Sequence, residues 1–144
     1  MTRLPVAWIS PDPVDPAELL AIVSRPDAGA AVLFIGVVRD HDPQANGRVV
    51  ALDYSAHPSA SDRIGEIVAS AVSVSDPEGR TMVAAVHRIG HLGVGDNAFV
   101  VAVSAPHRGQ AFAVCEHVVE QVKAQLPVWK QQFEADGSYR WSGL

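Results

Sequence analysis

A mixed α/β or α+β layer fold is what the order of apolar runs along this chain predicts, and three observations carry that reading. Strand-like and helix-like runs alternate from end to end, without internal repeats or low-complexity tracts. The run AAVLFIGVVRD is continuously apolar and β-branched over 31–38, as in a strand covered on both faces. Between Pro106 and Pro127 the apolar residues recur at helical spacing.

In chain order, residues 6–9 form a short strand, and the proline-rich SPDPVDP leads into a helix over 16–24. Asp15 suits its N-cap, and Leu19, Leu20, Ile22 and Val23 supply its buried face. The apolar strand over 31–38 stops at Arg39 and Asp40. The polar DHDPQANGR is a loop, with Asn46-Gly47 as a turn signal before a strand over 48–57, so the two strands read as a long hairpin. Pro58 and Ser59 introduce a helix to about Ser73, in which Ile64, Ile67, Val68, Ala71 and Val72 share one face. Strands over 81–89 and 98–105 flank HLGVGD, whose glycines mark a tight connection. The last helix places Ala111, Phe112, Val114, Cys115, Val118, Val119, Val122 and Leu126 on one arc and ends at Pro127. VWKQQFEADGSYRW then reads as an edge hairpin turning at Asp136-Gly137.

Composition excludes several classes. With 144 residues, 48% of them apolar, the chain is expected to form one domain over 1–144. Its net charge of -5 argues against sequence-independent nucleic-acid binding, which needs many Lys and Arg on phosphates. No signal peptide and no apolar run of the ~18 residues that span a membrane is seen, so a cytoplasmic location is expected. Cys115 is the only cysteine, which rules out an internal disulfide and a cysteine-based metal cage. Its place on the helix's apolar arc suits an inert core thiol. His87 and His91 are four apart, but Gly90 breaks the helical face that would offer both to one ion, so no metal and no cofactor are expected.

The cations are distributed unevenly for an acidic chain. His107, Arg108, Lys123 and Lys130 all lie on or beside the last helix. His107 and Arg108 stand at its N-terminus, where free amides and the helix dipole favour an anion and the guanidinium adds a fork. Arg39 closes a buried strand on what can be the same rim. Lys123 lies at the margin of the apolar arc, so its stem is expected to be packed and its ammonium partly dehydrated, which favours the neutral form. Lys130 follows Trp129 beyond the helix, and a second cation nearby would push either lysine the same way. Taken singly, each residue has a plainer reading: Lys123 complements the dipole of the last turn, Arg39 and Arg108 are surface groups at loop junctions, and Trp129 packs.

Three segments resemble the MoaE family, the large catalytic subunits of molybdopterin synthase. They are GVVRDHDPQANGRVVALDYSAH from Gly36, HRIGHLGVGDNAFVVAVSAPHRGQAF from His87 and CEHVVEQVKAQLPVWK from Cys115, in the family's order and covering most of the chain. The resemblance implies an α/β hammerhead with an additional antiparallel β subdomain. It implies a sulfurtransferase that moves sulfur from the C-terminal Gly-Gly thiocarboxylate of a small ubiquitin-like subunit, MoaD, onto cyclic pyranopterin monophosphate, precursor Z. The family assembles as a heterotetramer around a homodimer of large subunits. Carried over by position, Arg39, His107 and Arg108 would hold the pterin phosphate and Lys123 and Lys130 would be catalytic. Val37 and Val38, through their backbone, and Gln131 and Gln132 would line the pocket.

Two departures stand out. Ser55 replaces the glutamate that commonly follows the family's tyrosine, here Tyr54, and Gln132 replaces a frequent acid after the second lysine, removing a charge partner of Lys130. Such exchanges suit a paralogue with its own preferred small subunit. A noncatalytic docking module for a ubiquitin-like tail or a phosphorylated metabolite would use the same cations. It would not need two lysines, one of them at the apolar margin.

Overall fold

The structure, a computed structural model, describes residues 4–43 and 47–144. Among them are eight strands and three helices: β1 Val6–Ser10, α1 Pro16–Val23, β2 Ala30–Val37, β3 Val49–Ala56, α2 Ala60–Ser75, β4 Met82–Arg88, β5 Gly90–Gly93, β6 Asn97–Ala105, α3 Arg108–Gln125, β7 Val128–Glu134 and β8 Tyr139–Gly143. No helix among the described residues is long and apolar enough to cross a membrane.

The strands divide into two sheets, ordered β1-β4-β6-β2 and β5-β3-β7-β8. In the first, β1 runs parallel to β4 and the other pairs are antiparallel. Strand alternation sends Val83, Ala85, Phe99, Val101 and Val103 to one face, where Ile64, Ile67 and Val68 of α2 and Val114, Val118 and Val122 of α3 cover them. Ala84, Val86, Val100 and Ala102 take the other face against Leu19 and Val23 of α1. At about 25 cal/mol per Å² of apolar surface removed from water, these two interiors are the main driving force for this half of the chain. The second sheet is antiparallel throughout and has a smaller core of Val38, Val49, Leu52, Leu92 and Ala98. Tyr54 packs against that core and against the α2/α3 interior, so it stands where the sheets meet.

Several expectations need correction. β2 and β3 are not a hairpin: β2 pairs with β6 in the first sheet, and β3 lies between β5 and β7 in the second. The apolar character of β2 does reflect two covered faces, Val32 and Phe34 against one core and Leu33 and Ile35 against the other. As an edge strand, however, it is only half-buried. The turn signal Asn46-Gly47 falls partly outside the described residues. HLGVGD contains a strand as well as a turn, because β5 pairs with β3 before the chain reverses at Gly95, whose φ is +93°. Asp136-Gly137 does turn the last hairpin, with φ +90° at Gly137, but only β8 is an edge, since β7 also pairs with β3. On α3, Phe112 points outward and is 61% exposed, whereas Cys115 is buried and its thiol is pushed up to about 11 by that burial.

The junction of β6 with α3 is held by a close approach. A Cβ on Gly29 would lie 2.7 Å from the carbonyl oxygen of Pro106, inside van der Waals contact with backbone that cannot easily move. Gly29→Ala is therefore expected to destabilise the protein by about 1–3 kcal/mol, read as a lower urea midpoint at unchanged slope. An unchanged midpoint would show that the contact does not constrain the fold.

Candidate active site: a basic cavity between the sheets

Where the sheets meet, a cavity of about 360 Å³ opens. One wall is the end of β2 and the loop beyond it, with Val37, Val38, Arg39 and Asp42. The facing wall is the inner face of the second sheet, where Leu52 and Tyr54 of β3 stand opposite Gln132 and Lys130 of β7 in register. His87 of β4 and Phe99 of β6 also line it, and Lys123 enters from the last turn of α3.

The route from sequence to this geometry is short. Pro127, which has no N–H to donate, follows the end of α3, and the chain turns directly into β7. His57 N–H donates to the Pro127 carbonyl at 3.0 Å, tying the start of β7 to the end of β3. Lys130 thus reaches the same cavity as Lys123. Alternation along β7 sends Lys130 and Gln132 inward, while Gln131 faces the other side and is not on the cavity wall, contrary to expectation.

Lys130 is half-buried, with Nζ 3.8 Å from Oδ2 of Asp42. Burial holds its pKa below the ordinary lysine value; Asp42 opposes the shift, and the charges of Lys123 and Arg39 add to it. The partner that Gln132 does not provide is thus supplied by Asp42 from the opposite wall. The packed stem expected at Lys123 is not found, since that residue is exposed, and the dehydration falls on Lys130 instead.

His87 is buried in the cavity floor. Its ring stacks on Phe99 at 5.4 Å and meets Tyr54 edge-on at 5.1 Å, and its Nδ1 lies 2.7 Å from the Arg88 carbonyl oxygen. Burial pushes its pKa down to about 4; the bond to Arg88 works against this, and the charge of Lys123 assists it. Burial also raises Tyr54 to about 12. His91 stands beside Asp53 with Nδ1 2.5 Å from Oδ1, on the opposite face of the second sheet from Tyr54, so the two histidines do not converge.

His107 and Arg108 are exposed at the N-terminus of α3 and do not line the cavity. A helix rises 1.5 Å per residue, so the 15 residues from Arg108 to Lys123 separate them by roughly 22 Å along the axis. Charge and spacing along the chain do not assign His87, Tyr54 and Asp42 to the cavity that they line. The strand period did signal His87, two places after Ala85 on one face, but Asp42 sits in a polar loop without any pattern.

A two-sheet α+β fold with clustered cations around a half-buried lysine defines a protein built to hold an anion beside a group that can exchange protons. The family model described as MoaE protein matches residues 9–125, and the chain belongs to that family. It is 36% identical over 139 residues to "Molybdopterin synthase catalytic subunit 1" of Mycobacterium tuberculosis, covering 96% of this chain and 91% of the relative. Its fold matches the crystal structure of molybdopterin synthase from Staphylococcus aureus with a TM-score of 0.82 at 28% identity, over 95% of this chain and 96% of the other. A chain from the complex of subunits 1 and 2 of molybdopterin-converting factor from Helicobacter pylori shares the fold, with a TM-score of 0.71 at 19% identity over 94% of this chain and 89% of that one.

Two outcomes follow from the electrostatics. Asp42→Asn removes a carboxylate that supports the charge on Lys130, so the lysine's apparent pKa falls further, as an NMR titration of labelled lysine would show; a rise or no change would contradict the assignment. His87 binds its proton at about 4 when folded and near 6.5 when unfolded, so its share of stability is complete above pH 6.5 and is lost as pH falls through that window. The loss amounts to about 3 kcal/mol at most, and urea melts of His87→Phe should show a flatter pH slope than the parent.

Proposed function

We propose that in this chain Lys123 and Lys130 carry the chemistry of a molybdopterin synthase catalytic subunit, transferring sulfur from the thiocarboxylated C-terminus of a small ubiquitin-like subunit to cyclic pyranopterin monophosphate. The observation that carries this is the cavity itself: in a MoaE family member, Lys130 is half-buried within reach of the charges of Lys123 and Arg39. For each sulfur delivered, the thiocarboxylate sulfur forms a C–S bond at a pterin carbon as a C–O bond to that carbon breaks, its oxygen leaving as water or with the phosphate; water then hydrolyses the acyl–sulfur bond, so the tail leaves as a carboxylate and the thiolate stays on the pterin. Lys123 handles the proton transfer or transient bonding at that carbon. Lys130 neutralises the thiocarboxylate and the oxyanion that develops as the acyl group leaves, a role suited to a group whose desolvation strengthens its attraction for negative charge.

Arg39 holds the pterin phosphate from the cavity wall, with Val37 and Val38 beside it and Gln132 on the facing strand. His107 and Arg108 sit at the other end of α3, so their share in binding that phosphate is supplied by a second copy of the chain. This accords with a homodimer of large subunits inside a heterotetramer that carries one small subunit at each outer end. The family membership supports the small-subunit partner, and the Helicobacter relative was solved as a complex of two subunits. The chain acts in the cytoplasm and needs no metal or cofactor of its own.

Mixing the purified protein with precursor Z and a thiocarboxylated small subunit is expected to yield molybdopterin. Lys123→Ala and Lys130→Ala should each lower the rate by about 100-fold or more, as loss of an acid–base or charge-stabilising group does. Arg39→Ala should act mainly by raising the KM for the pterin. Full activity of Lys123→Ala would remove it from the chemistry, and binding of both partners without product would reduce the protein to a docking module.

A further inference from the structure

We propose that His87 is a substrate-positioning residue, whose ring nitrogen Nε2 accepts a hydrogen bond from an N–H or O–H group on the edge of the pterin ring. The inference rests on the cavity being the pterin site, and it adds a contact that neither the lysines nor Arg39 can make. Ammonium and guanidinium groups are donors only, so the cations that receive a phosphate or a thiocarboxylate leave the donor groups of a heterocycle without partners.

The geometry assigns the tautomer. Nδ1 lies 2.7 Å from the Arg88 carbonyl oxygen, and a carbonyl can only accept, so the neutral ring carries its hydrogen on Nδ1 and its lone pair on Nε2. Among the described residues no hydrogen bond reaches Nε2, and that atom is not one of the polar atoms sealed in the interior without a partner. It is therefore open to the cavity that the ring lines. The direction of the lone pair is fixed as well, because Phe99 stacks against one side of the ring and Tyr54 abuts it edge-on. Burial and the nearby Lys123 charge keep the ring unprotonated at neutral pH, so it presents an acceptor. A fixed acceptor between two aromatic rings suits a flat heterocycle whose orientation has to be set before sulfur arrives.

The test separates this contact from the transfer reaction. His87→Asn keeps an amide that can donate to Arg88 but removes the atom at Nε2, whereas His87→Gln places an amide oxygen near it. The expected result is that His87→Asn raises both the KM and the Kd for precursor Z about tenfold, as for one lost hydrogen bond. It should leave kcat within about threefold and the affinity for the small subunit unchanged, and His87→Gln should recover a substantial part of the loss. In the wild-type protein the ¹⁵N resonance of Nε2 should be that of an unprotonated nitrogen and should move on adding the pterin. An unchanged KM in a folded His87→Asn, an Nε2 that already bears the proton, or equal losses in both variants tracking their melting temperatures would overturn the proposal. Where the variants do not fold, the ¹⁵N experiment on the wild-type decides. Wild-type protein that binds the pterin with the Nε2 shift but makes no product would refute sulfur transfer and uphold the histidine contact.

Discussion

Repulsion among cations held in one partly dry cavity is the constraint on which the site depends. Two unit charges 4 Å apart interact by about 1 kcal/mol in water and about 4 kcal/mol near a protein surface, so Arg39, Lys123 and Lys130 cannot line one cavity freely. Asp42 relieves part of the strain from the loop beyond β2. Burial first, and then the charges of Lys123 and Arg39, leave Lys130 a lysine that gives up its proton more readily than usual. An incoming anion relieves the repulsion further, so the cavity is electrostatically poised for a negatively charged guest.

The two-sheet architecture maintains that arrangement. The first sheet, covered by α1 on one face and by α2 and α3 on the other, provides the rigid floor from which His87 and Phe99 project. The second sheet provides the wall, and its register is decisive: Tyr54 stands opposite Lys130 and Leu52 opposite Gln132. A slip of one residue in β7 would turn Trp129 and Gln131 into the cavity and Lys130 out of it. Val128, on the same face of β7 as Lys130 and buried in the α2/α3 interior, guards against that slip, because the same shift would turn it out of the core.

Much of the fold was legible in the sequence because burial leaves a periodic trace. The arc of α3, the face of α2 and the apolar runs of β4 and β6 follow from spacing alone. Partner choice between strands does not. β2 and β3 carry hairpin signals on both sides of a polar loop, yet each finds a better-matched surface elsewhere, β2 beside β6 and β3 beside β7. β5 is four residues long with glycine at each end, too short for a two-residue period to register. For the site, sequence reasoning found Arg39, Lys123 and Lys130 by their charge and setting. It placed the dehydration on the wrong lysine, because a position at the helix margin says nothing about the sheet that later covers Lys130. His107 and Arg108 belong to the same helix as Lys123 but to its opposite end, a distance that proximity in sequence conceals. Asp42 depends on a contact across the cavity and leaves no local pattern.

A crystal structure of the protein with the pterin monophosphate bound tests most directly whether the cavity between the sheets is the substrate site. Density for the ring is expected over His87 and Phe99, with its phosphate against the Arg39, Lys123 and Lys130 side chains. Density for the pterin elsewhere on the surface, with this cavity left to solvent, would contradict it.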